Sequence, residues 1–170
     1  MKILIAAILG VTVLTFTLFA QTPRLTAADL KVLEGGQWTG TLTYLDYTSK
    51  EKTSIKSNVV ITLDPDRPNT WTFDLRYPLE PKADRKEQVV LSDDGLTFDE
   101  ERLIERKILS DGSLEIITTA TGKDDHRDAT FRHTYLIGKT NFSIKKEVKF
   151  DGEKEFFERN TYSWSRSSPN

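Results

Sequence analysis

From Gln37 onward, apolar and polar residues alternate with a period of two. Trp38, Leu42 and Tyr44 alternate with Thr39, Thr41 and Thr43, and Trp71, Phe73, Leu75 and Tyr77 with Thr70, Thr72, Asp74 and Arg76. The same pattern runs through Phe131, His133, Tyr135 and Ile137, then through Phe142, Ile144, Val148 and Phe150. Successive side chains on a strand point to opposite faces, so each run predicts a strand with one face buried. Turn-forming clusters separate the runs: Asp64–Asn69, Pro78–Pro81, Asp93-Asp94-Gly95, Asp111-Gly112, Gly122–Asp125, Gly138–Asn141 and Asp151-Gly152. The pattern predicts eight or nine antiparallel strands over residues 37–166. The runs at 37–47, 51–63 and 127–137 are long, and long strands favour closure into an up-and-down barrel, because closure removes exposed edges.

Before the strands, Thr26–Glu34 reads as a short helix. Thr26 can cap its N-terminus, Leu30 and Leu33 share a docking face, and Gly35-Gly36 stops it.

Residues 1–20 break the alternation altogether. Lys2 is the only charge, an apolar run extends to Phe19, and the small residue Ala20 precedes Gln21. This is the order of an export signal, so the expected organisation is a signal peptide (1–20), a short helix and lead-in (21–36), a barrel (37–166) and a polar tail (167–170). Cleavage would leave 150 residues, enough for one substantial core. The expected location is secreted or periplasmic, with no membrane association once the signal is gone.

Composition narrows the function classes. There is no Cys, so stability must come from the core rather than from disulfides. A formal charge of −2 gives no field for attracting DNA or RNA, and no nucleic-acid partner is expected. The sequence has no phosphate-binding Gly-rich loop, nucleophile elbow or two-His helix. Only two His are present, His126 and His133. No cofactor and no metal are expected.

The segment Leu33-Glu34-Gly35-Gly36-Gln37-Trp38-Thr39-Gly40 resembles the start of the calycin barrels, the lipocalin-like group. In that group a short helix leads into a Gly-x-Trp at the head of the first strand, which is Gly36-Gln37-Trp38 here. The resemblance implies that Trp38 closes the barrel floor and that a late Arg, either Arg159 or Arg166, packs across its ring. The chain lacks a late Thr-Asp-Tyr-like turn and cysteines, so the likeness is to looser bacterial lipocalin-like barrels.

Candidate chemistry lies where polar residues interrupt inward-facing apolar positions. Tyr44, His133, Tyr135, Lys146, Asn160 and Tyr162 do so on strands expected to be neighbours or to meet by closure. They are the predicted border of a ligand cavity. An inward lysine needs a carboxylate or an anionic ligand, because an unpaired buried charge is costly. With Phe156, Tyr162 and Trp164 facing inward, a three-residue loop Asp151–Glu153 sets Glu158 opposite Lys146. A loop of Phe150–Gly152 sets Ile144 there instead. On Glu100–Leu109 one face holds Arg102, Ile104, Arg106 and Ile108 and the other Leu103, Glu105, Lys107 and Leu109, so the inward face stays open. The leading expectation is a barrel that binds a small, largely apolar molecule with an anionic head. The alternatives are an enzyme using Lys146, Glu158, Tyr162 and His133 as acid–base groups, and a structural protein whose core is filled by its aromatics.

Overall fold

A computed structural model describes residues 22–166. The expected signal peptide, with its cleavage site, and the tail at 167–170 lie outside the described residues. The chain forms an all-β, antiparallel, up-and-down and nearly closed barrel with one short helix. It has ten strands rather than eight or nine: β1 (Gln37–Leu45), β2 (Lys52–Leu63), β3 (Thr70–Arg76), β4 (Arg85–Val90), β5 (Thr97–Phe98), β6 (Glu101–Ile108), β7 (Leu114–Asp124), β8 (Arg127–Ile137), β9 (Asn141–Phe150) and β10 (Phe157–Ser165). Around the sheet they run β4-β3-β2-β1-β10-β9-β8-β7-β6-β5, with β1 and β10 paired. The ring is completed at a single point, where Leu91 bridges Phe98 and the Asp99 N–H donates to Val90 O at 2.8 Å. The extra strands are the charged run Arg85–Val90 and the two-residue β5, both too short to show a clear alternation.

The helix α1 (Ala27–Leu30) is followed by one tighter turn, Lys31–Leu33. The Thr26 N–H donates to Asp29 Oδ2 at 2.9 Å, and Arg106 of β6 pairs with Asp29, tying the helix to the wall. Leu30 and Leu33, both fully buried, plug one end of the barrel. A helix this short gains its stability from such docking rather than from its own hydrogen bonds.

Above the plug lies the main core, built from Trp38, Trp71, Phe73, Phe142 and Trp164. Phe142 stacks on Trp164 at 5.2 Å and Trp164 on Tyr162 at 4.8 Å between ring centroids. Trp38 lies at the helix end, its Nε1–H donating to Leu33 O at 3.0 Å. Arg166, not Arg159, crosses its ring. Arg159 is at the other end of the barrel, over Tyr47. There a smaller cluster of Ala129, Val148 and Phe150 packs with Tyr47, Phe131 and Phe157.

Two bulges change which residues face inward. Ile137 pairs with Phe142 as the alternation requires. On β10, however, Asn160 pairs with Lys146 while Phe157 pairs with Val148, with the register shifting between Glu158 and Asn160. Glu158 therefore sits opposite Glu147, not Lys146, and its carboxylate pairs with Lys52 at 3.1 Å. Phe157 takes the inward place expected of Phe156, whose ring lies instead beneath the cations of Arg132 and Lys149. The second bulge, between Leu103 and Glu105, lets β6 turn residues from both of its alternating sets inward. Leu103 pairs with Thr118 and Arg106 with Ile116, and both of these partners are fully buried. An extra residue on one strand reverses its parity, which a strict period-two reading cannot anticipate.

Candidate functional site

Between the two apolar clusters the interior is polar and hollow. A cavity of about 290 Å³ is bordered by residues of both halves of the barrel, among them Phe73, Val89 and Ile144 as apolar wall. Five of the six residues expected from sequence border it: His133, Tyr135, Lys146, Asn160 and Tyr162. The register explains the convergence. His133 pairs with Lys146 across β8 and β9, Lys146 with Asn160 across β9 and β10, and Tyr135 with Ile144 one step toward the plug. Tyr44 is the exception. It pairs with Asn160 and shares the parity of Trp38 and Leu42, but it does not border this cavity.

Four charged residues that the alternation did not single out take part. Arg85, Glu87 and Asp99 border the cavity, and Glu101 takes part through its hydrogen bond with His133. Glu101 Oε2 accepts a hydrogen bond from His133 Nδ1 at 2.8 Å and another from Thr118 Oγ1, and Thr118 is fully buried. Burial alone would raise the Glu101 carboxyl. The hydrogen bond and charge of His133, together with Thr118 and Lys146, outweigh burial and hold it below the usual range. With Nδ1 committed to Glu101, the ring of His133 is fixed in orientation. Burial drives the Tyr135 hydroxyl well above its ordinary pKa, and the charges of Glu101 and Asp99 push in the same direction, so it stays protonated.

Across the barrel, Arg85 donates to Tyr162 Oη at 3.0 Å and also to Tyr77 Oη, while Tyr77 and Tyr162 share a hydrogen bond of 2.8 Å. Arg85 pairs with Glu87 as well. Burial works against the Arg85 charge, but Glu87 and Tyr162 more than compensate. Asp99 occupies the two-residue turn between β5 and β6, where Asp99 and Glu100 have φ of 54° and 63°. Asp is one of the few side chains that enter this left-handed region readily. Burial, with the negative charges of Glu101 and Glu87, raises the Asp99 carboxyl to about 6.

Lys146 stands apart from these pairs. Its Nζ lies 4.2 Å from the centroid of the Phe131 ring. No carboxylate among the described residues comes within ion-pair distance of it. The strand pairing thus gathers an oriented His–Glu pair, an unpaired Lys, and a carboxyl of raised pKa around one pocket.

Arg85 and Glu87 were hidden in Arg85-Lys86-Glu87-Gln88, which reads as a solvated run. The parity of Val89 and Leu91 was the available signal, since both are buried and place residues 85 and 87 on the inner face. Among the described residues no group of His, Asp and Glu is arranged to hold a metal ion. No protein-family model matches the chain, and no curated protein matches it in sequence.

Proposed function

We propose that this chain is an exported, lipocalin-like barrel that binds one small molecule with an apolar body and an anionic head. The observation that carries the reading is Lys146, an inward cation at the cavity wall without a carboxylate partner. A charge held inside a barrel costs stability unless something compensates it, and an aromatic face supplies only part of the compensation. A carboxylate on the ligand would supply the rest, and Phe73, Val89 and Ile144 would receive its apolar body. The plugged floor, with Trp38 beneath Arg166, supports the lipocalin-like part of the reading.

The test is Lys146→Met, which keeps the length of the side chain and removes its charge. Affinity for a simple apolar carboxylate such as caproate should fall about ten-fold or more, the loss of a charge-assisted hydrogen bond. Native mass spectrometry of the purified protein should also find an anionic small molecule carried with it. An unchanged affinity for caproate in a folded Lys146→Met protein would remove the anionic head from the reading.

The pair His133–Glu101 supports a second reading, an acid–base enzyme. A carboxylate on Nδ1 orients an imidazole for proton transfer at Nε2, and Asp99, titrating near 6, supplies an acid in the same cavity. Glu158 has no place in such a site, since it faces away and pairs with Lys52.

A further inference from the structure

The charges around the cavity are not all paired with one another. In a ring of ten strands, β9 and β4 are five steps apart, as are β10 and β5, so each pair forms opposite walls. Lys146 and Asn160 come from β9 and β10. Glu87 belongs to β4, and Asp99 follows β5 directly. One wall therefore carries Lys146, and the facing side carries Glu87 and Asp99 together with Arg85, while Phe73, Val89 and Ile144 add apolar surface to the same cavity.

The internal pairings leave one charge of each sign over. Glu87 is met by Arg85, and Glu101 by His133 and Thr118. Arg85 is further held by Tyr77 and Tyr162. Among the described residues, the Asp99 carboxylate has no hydrogen bond or ion pair and feels the charge of His133 only at a distance, and Lys146 has the face of Phe131 and the more distant charge of Glu101. The two charges without an ion-pair partner thus border the same cavity from strands four steps apart in the ring, and they form no ion pair with each other.

We propose that the cavity takes a dipolar molecule, with an anionic group on Lys146, a cationic group on Asp99, and a short apolar spacer between. This rests on the anion reading above and adds the second charge to it. The raised pKa of Asp99 is consistent with a carboxyl set among Glu101, Glu87 and Glu100, where burial and these charges outweigh the lowering effect of His133. A cationic group on the ligand supplies the ion-pair partner that Asp99 lacks. A purely anionic ligand does not.

Matched probes separate the two ideas. Calorimetric titrations of the purified protein at neutral pH would compare para-(aminomethyl)benzoate with para-toluate and para-methylbenzylamine, and ε-aminocaproate with caproate. At least one dipolar probe should bind about ten-fold or more tightly than its single-charge counterparts. Asp99→Asn should erase that preference while leaving para-toluate and caproate binding as strong or stronger. Asn also fits the left-handed turn, so the fold is retained, and circular dichroism checks that it is. Lys146→Met should weaken dipolar and carboxylate probes alike. If the carboxylates bind through Lys146 but the dipolar probes gain nothing, or if the preference survives Asp99→Asn, the dipolar proposal fails and the anion reading stands. If no probe binds, both fail.

Discussion

The guanidinium of Arg166 sits over the indole of Trp38, 4.1 Å from the ring centroid, and donates to the carbonyls of Val32, Glu34 and Gly35. One side chain thus covers the barrel floor and ties the plug segment to the end of the last strand. Trp38 is fully buried, and Trp38→Ala should cost about 3–5 kcal/mol. Arg166→Ala should cost about 2 kcal/mol, from the lost cation–ring contact and the carbonyls left without a donor. Urea unfolding measures both. A loss below about 1 kcal/mol for Trp38→Ala would mean that the floor is not held by this ring.

At Gly40 the backbone of β10 occupies the space that a side chain on β1 would need. A Cβ there would stand 1.9 Å from Ser163 O and 2.8 Å from Trp164 Cα. These are backbone atoms, so no rotamer change relieves the clash. Gly40→Ala should destabilise by about 1–3 kcal/mol, although alanine ordinarily improves a strand. The denaturation midpoint would show it, and a neutral or stabilising result would contradict the close pairing.

The Asp99 carboxyl is raised from 3.8 to about 6 in the fold. The folded state therefore holds this proton more tightly than the unfolded chain does. Ionisation costs stability progressively as pH rises from about 4 to about 6, and the cost is complete above that range. Asp99→Asn should match the wild type near pH 4 and exceed it by about 1 kcal/mol at pH 7, a modest gain because the turn is open to water on one side. Equal stabilities at both pH values would show that the carboxyl is not crowded.

The export reading has its own test. The apolar run ending in Phe19-Ala20 should be removed, leaving Gln21 as the first residue of the exported protein. Intact mass measurement decides it. A mature mass that still includes residues 1–20 would replace the signal with an anchor.

Much of the barrel was legible in the chain. Period-two alternation depends only on the geometry of a strand, so the runs holding Trp38, Phe73, Tyr135 and Phe142 declared both their conformation and their buried face. His133, Lys146 and Asn160 were recognisable as inward polar residues for the same reason. What the chain alone could not disclose was everything set by pairing between strands. The bulge before Asn160 moved Glu158 away from Lys146, and the bulge after Leu103 brought residues from both alternating sets of β6 inward. Glu101 joined the site only because strand pairing brings it to Thr118 and His133, and Asp99 only because the turn after β5 meets the cavity where the ring closes. A side chain's direction is a local property that neighbouring residues encode. Its partner across the barrel depends on register, closure and inserted residues, which are settled only when all the strands hydrogen-bond together.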